Sequence, residues 1–191
     1  MAVKDIVQYL ENEAVLRKKS KPVGRVTRRV KRLVQDLQDT LNSYANGVGL
    51  AAPQIDVHSR VVVVRLGGGQ DDEGSVREPD PPIALIDPQI VEAGDEERDF
   101  DGCLSFPGLY GETVRPHRLQ VAGLDEAGHP FNRLFEGFDA VVVHHEIDHL
   151  DGMLFIDRVE NVEDLYRVGE GENGELVRVP VSAGLQIADS R

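Results

Sequence analysis

Two histidines and a glutamate stand at a metal-binding spacing in the segment HEIDH, residues 145–149. In a helix, His145 and His149 lie one turn apart and can both reach one metal ion, while Glu146 projects beside it without binding. A single histidine on an apolar face is usually a hydrogen-bonded core residue, but a pair that flanks a glutamate is a narrower signal. The sequence therefore predicts a metal site. His144 points off this face, so we interpret it as a surface residue or one that lies behind the ligands.

The third metal ligand must come from elsewhere, because catalytic sites of this kind use three protein ligands and leave a position for water. Cys103, the one cysteine, lies in DGCLSFPG, where the preceding glycine lets the backbone approach closely. A thiolate is a strong ligand for soft metals, although a lone cysteine is more often inert packing. The alternative is a downstream acid, as in HExxH peptidases. The candidates for that role are Glu160, Glu163 and Glu170.

A helix must carry these residues, and the spacing predicts one over 138–150, ended by Asp151 and Gly152. Phe138, Val141 and Val142 share the face of the two histidines. A second helix is predicted after Thr27, which we expect to cap it, because apolar residues recur at helical spacing from Val26 to Tyr44. Strands are expected over 60–66, 83–87, 119–124, 130–135 and 153–156 and within 169–181, with a hairpin turn at DEAG and a mobile acidic loop at about 67–82.

Length and charge limit the class of protein. The chain has 191 residues, 40% of them hydrophobic, which suits one domain. Its net charge is −13, yet residues 17–32 hold nine basic residues and no acid. We interpret that segment as the solvated face of a helix, with a docking patch as the alternative, and expect no DNA partner. Charged residues near the start, the lack of a long apolar run and the single cysteine lead us to expect a cytoplasmic protein without a membrane partner.

Three motifs together resemble those of the peptide deformylases, in that family's order and with roughly its spacing. They are GVGLAAPQ at 47–54, DGCLS at 101–105 and HEIDH at 145–149, and VRP at 114–116 also resembles a family segment. The similarity extends from about residue 16 to 158. It implies an α+β fold, with antiparallel or mixed sheets packed around a central helix that carries HEIDH.

The resemblance also implies an activity: a cytoplasmic hydrolase that removes the N-formyl group from the initiator methionine of nascent peptides. The metal would be held by Cys103, His145 and His149, and is typically ferrous iron, with zinc, nickel or cobalt able to replace it. A bound cation lowers the pKa of its water, and Glu146 would transfer the proton. The ribosome is implied as a transient partner.

The other implied roles concern the substrate. By similarity, the Gln54 side chain and the Leu104 backbone N–H donate to the oxyanion, although Gln54 alone would be interpreted as a loop-capping amide. The loop with Val48 and Gly49 would let the substrate backbone lie alongside as an extra strand. Val141 and Val142 are candidates for the methionine pocket, and without the resemblance they would simply be core.

Two positions and the C-terminal tail depart from the family pattern. Asp101 stands where the family usually has Glu, and His144 where it usually has Gln, so we expect altered tuning of the site more than lost activity. The tail over 160–191 is acidic and strand-like, which is atypical and puts ribosome docking through it in doubt. An HExxH peptidase and a binding module that has lost catalysis remain alternatives. The complete set of Gln54, Cys103, His145, Glu146 and His149 is an argument against the second.

Overall fold

The computed structural model describes residues 2–70, 76–77, 79–170 and 176–181. Within them the α-helices and strands follow one another along the chain, with short 3₁₀ turns between some of them. The helices are α1 (Tyr9–Leu16), α2 (Arg28–Asn42) and α3 (Phe138–Leu150). The strands are β1 (Gly49–Ala51), β2 (Val61–Val64), β3 (Gly69–Gln70), β4 (Val76–Arg77), β5 (Ile83–Gly102), β6 (Leu109–Leu124), β7 (Pro130–Glu136), β8 (Leu165–Glu170) and β9 (Leu176–Pro180).

One antiparallel sheet holds seven of these strands, in the order β1-β2-β5-β6-β8-β9, with β7 also paired to β6. Strand β6 is central because it has three partners: β5 along most of its length, β7 at its C-terminal part and β8 at its N-terminal end. Two register shifts interrupt β5 near Ile86 and Ile90, and such irregularities bend and twist a sheet. The expected α+β architecture around a central helix is confirmed.

Strand β2 explains how two helices pack on one sheet. Val62 and Val64 belong to the apolar cluster that includes α3, whereas Val61 and Val63 belong to the cluster that includes α2. All four valines are fully buried. A strand covered on both faces reads as a continuous apolar run, because neither face meets water. The run of four valines thus places α2 and α3 on opposite faces of this part of the sheet.

Helix α2 begins where the sequence predicts. Thr27 is its N-cap, and the Thr27 Oγ1 accepts from the Val30 N–H at 3.4 Å. Its apolar positions are buried at Val34, Leu37 and Leu41, and its basic residues near the start are exposed. The solvated-face interpretation of this part of the basic segment therefore agrees with the burial pattern.

Several local predictions need correction. The strand expected over 153–156 is wrong: Phe155–Arg158 form a 3₁₀ turn, and the Asp157 carboxylate accepts from the Leu154 N–H at 2.9 Å. Strand β5 continues 15 residues beyond the expected end at Asp87, and helix α1 was not anticipated. The hairpin turn at DEAG is confirmed, since Asp125 Oδ1 accepts from the Ala127 and His129 N–H groups.

Parts of the expected acidic loop and of the tail fall outside the described residues, namely 71–75, 78, 171–175 and 182–191. On either side of the first gap, β3 and β4 pair with each other. The expected strand character of the tail is confirmed where it is described, because β8 and β9 extend the main sheet. In the described part of the chain, every helix is too short or too polar to span a membrane.

Candidate metal centre

Helix α3 carries the HEIDH residues through the middle of the protein. Every residue from Ala140 to Leu150 is buried, so this helix has no solvent-facing side in its last three turns. Five of these buried residues are polar, and buried polar groups are stable only when they are paired. They are His144, His145, Glu146, Asp148 and His149. Most of their partners come from the hairpin of β5 and β6.

Cys103 lies at the turn of that hairpin, directly after the last pair of the β5–β6 ladder, Gly102 and Tyr110. The hairpin brings the thiol to α3, where Cys103 Sγ and His149 Nε2 are 3.2 Å apart. The ligand atoms of Cys103, His145 and His149 all lie within 4.8 Å of one another. A thiolate and two imidazoles suit iron, zinc and similar transition metals, so this donor set fits the implied metal. Burial lowers the pKa of His149 to about 3, which keeps its imidazole in the neutral form that binds metals.

His145 is oriented from behind by Asp101. Its Nδ1 donates to Asp101 Oδ1 at 2.7 Å, which leaves Nε2 as the nitrogen for a metal. Thr113 Oγ1 and Arg115 Nε donate to the other oxygen of Asp101, at 3.0 and 2.7 Å. Burial would raise the pKa of Asp101, but His145 and Arg115 outweigh burial and lower it, so this carboxylate is ionised. The shorter acid at position 101 therefore reaches His145 directly.

Arg115 connects this pair to His144 and Asp148, on the neighbouring face of α3. It is completely buried, and its Nη1 lies 2.8 Å from both Asp148 Oδ2 and His144 Nδ1. Arg158 then binds Asp148 through two hydrogen bonds of 2.5 and 2.7 Å. Burial lowers the pKa of His144 to about 4, so the neutral ring accepts from Arg115. Of the two interpretations of His144, the position behind the ligands is confirmed, and the surface position is wrong because His144 is 7% exposed.

Arg115, Asp148 and Arg158 are the residues of this network that sequence reasoning missed. The segment VRP includes Arg115, but a helical wheel of α3 says only that His144 and Asp148 lie off the face of His145 and His149. The remaining signal is that a charged residue on a helix buried all round requires an opposite charge nearby. That rule says that a partner exists, whereas the pairing of β5 with β6 is needed to say which residue it is.

Glu146 lies next to Gly49 of β1. A Cβ at position 49 would stand 2.3 Å from Glu146 Oε1, so only glycine leaves room for the carboxylate. Burial raises the pKa of Glu146 to about 7. Its Oε2 is buried without a hydrogen-bond partner among the described residues. A carboxyl group with such a pKa can both accept and release a proton near neutral pH.

Gln54 is held in a fixed orientation between the first motif and the second. Its Oε1 accepts from the Ala51 N–H at 2.8 Å, and its Nε2 lies 3.2 Å from Ser105 Oγ and 3.4 Å from Cys103 Sγ. The side chain is 1% exposed. The amide N–H₂ group is thereby directed toward the segment of Cys103 and Leu104, where a reacting carbonyl would need donors.

The remaining candidates divide between surface and core. Val48 is 38% exposed and precedes β1, whereas Val141 and Val142 are buried on α3 one turn before His145 and Glu146. Of the alternative acidic ligands, Glu160 and Glu163 are exposed, and Glu160 is paired with Arg98. The side chain of Glu170 lies outside the described part.

Comparison with known proteins gives a consistent result. The polypeptide deformylase family model matches residues 3–164. A peptide deformylase of Carboxydothermus hydrogenoformans is 40% identical over 162 residues, which cover 85% of this chain and 97% of the relative. One from Desulforudis audaxviator is 44% identical over 163 residues, with 85% and 97% covered. The crystal structure of peptide deformylase from Ehrlichia chaffeensis matches with a TM-score of 0.74 and 32% identity, covering 84% of this chain and 89% of that one.

Proposed function

Since the chain belongs to the polypeptide deformylase family, and as such is an enzyme that removes the N-formyl group from nascent peptides, we propose that it does so with a metal ion held by Cys103, His145 and His149. The observation that carries this proposal is the approach of their three ligand atoms to within 4.8 Å of one another. The orientation of His145 by Asp101, which leaves its Nε2 as the nitrogen for a metal, supports it further.

Ferrous iron is the metal that we propose, with zinc, nickel or cobalt able to occupy the same ligands. The support is the mixed thiolate and imidazole donor set, which suits all four metals, together with the family resemblance. A metal ion held by these residues would act as a Lewis acid and would lower the pKa of a bound water.

Glu146 is proposed as the group that moves the proton. It takes a proton from the attacking water and delivers it to the nitrogen that leaves as the new N-terminal amine. The raised pKa supports both halves of that role, because a carboxylate with an ordinary pKa would be a poor acid at neutral pH. Gly49 supports it as well, since its missing side chain gives Glu146 the space next to β1.

Gln54 and the Leu104 backbone N–H are proposed to stabilise the negative charge that develops on the formyl oxygen. Gln54 is buried and its Oε1 is engaged by the Ala51 N–H, which fixes the orientation of the amide with its N–H₂ group on the side of Cys103. Donors that are fixed in advance contribute roughly 3 to 4 kcal/mol each in comparable oxyanion sites.

The substrate is proposed to bind along β1. This strand lies at the end of the strand order and pairs with β2 on one side, so its other edge is open to an added strand in the described part of the chain. Val48 and Gly49 would supply backbone groups for that pairing. Val141 and Val142, one turn before His145 and Glu146, are proposed to contribute to the pocket for the methionine side chain.

We further propose that residues 1–191 form a single domain that works in the cytoplasm, in transient contact with the ribosome. The support for the contact is chemical: nascent N-formyl peptides exist where they are synthesised. The support for the compartment is the single cysteine, which offers no internal disulfide.

The test combines metal analysis with a substrate comparison on anaerobically purified protein. Release of free amine from formyl-Met-Ala-Ser should be far faster than from acetyl-Met-Ala-Ser, because the extra methyl group would clash in a site closed around the carbonyl. Cys103→Ala should lose as much metal as His145→Ala, whereas the control Glu163→Ala should keep it. Equal rates on both peptides, or metal lost in Glu163→Ala and kept in Cys103→Ala, would favour an HExxH peptidase instead.

A further inference from the structure

The segment that precedes and begins helix α1 runs beside the backbone of Gln54, Leu104 and Ser105, and we call its residues Ile6, Val7, Gln8 and Tyr9 the N-terminal strap. Two of its backbone N–H groups donate to the segments that hold Gln54 and Leu104. The Val7 N–H donates to the Gln54 carbonyl at 2.8 Å, and the Tyr9 N–H donates to the Ser105 carbonyl at 2.9 Å.

Between these two backbone bonds, the side chain of Gln8 makes a third contact with the same segments. Its Nε2 donates to the Leu104 carbonyl at 3.4 Å and to the Ile6 carbonyl at 3.0 Å. Three consecutive strap residues thus bind the backbone of positions 54, 104 and 105. Gln8 is the one that does so with its side chain, and it is half-buried.

The strap is itself anchored by apolar packing on two sides. Ile6 is 7% exposed and belongs to the cluster of Leu50 and Ala52, near the first motif. Tyr9 stacks on Phe106 with ring centroids 4.5 Å apart, near the second motif. The strap therefore joins the two motifs that supply the proposed oxyanion donors.

We propose that Gln8 is a positioning residue for the deformylation reaction, acting through the Leu104 peptide to hold the backbone N–H of Leu104 in place for the formyl oxygen. This inference rests on the proposed function. The N–H and carbonyl of Leu104 belong to neighbouring peptide planes that meet at its Cα, so a hydrogen bond to the carbonyl fixes the plane next to the one that carries the N–H.

The strap matters in the transition state more than in substrate binding. The charge on the formyl oxygen develops only during attack, and a donor displaced by a fraction of an ångström loses much of its value there. The peptide product has no formyl group, so its binding does not use the donor. Loss of Gln8 should therefore lower kcat while leaving the affinity for product unchanged.

The experiment compares Gln8→Met, which keeps the shape of the side chain but cannot donate, with Gln35→Met as a matched control. Gln35 is exposed on α2 and bonds only Asp39 among the described residues. For Gln8→Met we expect kcat on formyl-Met-Ala-Ser to fall about tenfold, with KM, metal content and the Kd of Met-Ala-Ser each within twofold of wild type. Gln35→Met should leave all four unchanged.

A second variant, Gln8→Glu, guards against a packing effect, because it keeps the size of the side chain and places an acceptor against the Leu104 carbonyl. It should lower kcat at least as much as Gln8→Met. Wild-type kcat in either variant would overturn the inference, as would a loss of metal or of Met-Ala-Ser affinity that accompanies the fall in kcat. A wild-type enzyme without activity on formyl-Met-Ala-Ser would instead overturn the proposed function and the inference with it.

Discussion

Helices α2 and α3 are similar in length and pack against the same strand, yet they are stabilised in different ways. Helix α2 buries one apolar face and turns its basic side chains to water. Helix α3 is buried all round and includes five polar residues among eleven buried ones. The first helix needs only a surface to pack on, whereas the second needs specific partners for each charge. The candidate metal ligands and Glu146 thus lie mainly on the helix whose burial costs more free energy.

The largest effect is expected from a change at Glu146 on α3. In Glu146→Gln the site should keep its metal, because this residue is not among the proposed ligands, but turnover should fall by about 10² to 10⁴-fold, as is typical when a proton-transfer group is removed. The measurement is single-substrate kinetics on formyl-Met-Ala-Ser with metal content determined on the same sample. Undiminished turnover in a metal-replete variant would mean that Glu146 is buried on α3 for structure alone.

A second change tests the partners of α3 against the exposed charges of α2. Arg115→Met leaves Asp101 without its arginine and Asp148 with Arg158 alone, and breaking a buried pair in this way costs about 3 to 5 kcal/mol of unfolding free energy. Arg29→Met, on the exposed face of α2, should change that free energy by less than about 0.5 kcal/mol. Urea unfolding of both variants at equal metal loading measures the difference. Similar losses of unfolding free energy in the two variants would show that α3 does not depend on its buried charge partners more than α2 depends on its exposed charges.

The smallest expected effect belongs to the start of α2. Thr27→Ala removes the cap that accepts from the Val30 N–H and should cost about 1 kcal/mol of unfolding free energy. Thr27→Ser, which keeps the hydroxyl, is the matched control and should stay close to wild type. Because α2 contributes no side chain to the group of Cys103, His145 and His149, kcat should be unchanged in both. A fall in kcat for Thr27→Ala would show that the two helices are coupled more closely than their separate apolar clusters indicate.

Features that depend on local spacing could be predicted from the sequence, whereas features that depend on contacts between distant segments could not. Helix α2 could be predicted because the spacing of its apolar residues shows which face is buried, and Thr27 marks its start. The spacing of His145 and His149 likewise predicts a shared metal without knowledge of the fold. Cys103 could not be chosen over the downstream acids from spacing alone, because its approach to His149 depends on the turn of a hairpin 46 residues away.

The sheet was predicted less well, for physical reasons. From Glu92 to Asp99, strand β5 is polar and mostly exposed, and its strand character comes from backbone pairing with β6. Polar side chains on a solvated strand leave no apolar alternation to detect. Conversely, the apolar run at 153–156 resembled a strand, but the Asp157 side chain bonds the Leu154 N–H and closes a turn there.

The pairing of β5 with β6 has a consequence for how the protein folds. Asp101, Thr113 and Arg115 meet under α3 because Asp99 pairs with Thr113 and Glu97 with Arg115. A slip of one residue between these strands would turn their side chains to the opposite face, and a slip of two would shift Arg115 about 7 Å along the ladder relative to Asp101 and α3. The bulges in β5 hinder such slips, since a shifted ladder would have to lose them or form them elsewhere. A hairpin in the wrong register would place no opposite charges next to the buried charges of α3. Helix α3 can therefore pack stably only on a correctly paired β5–β6 hairpin.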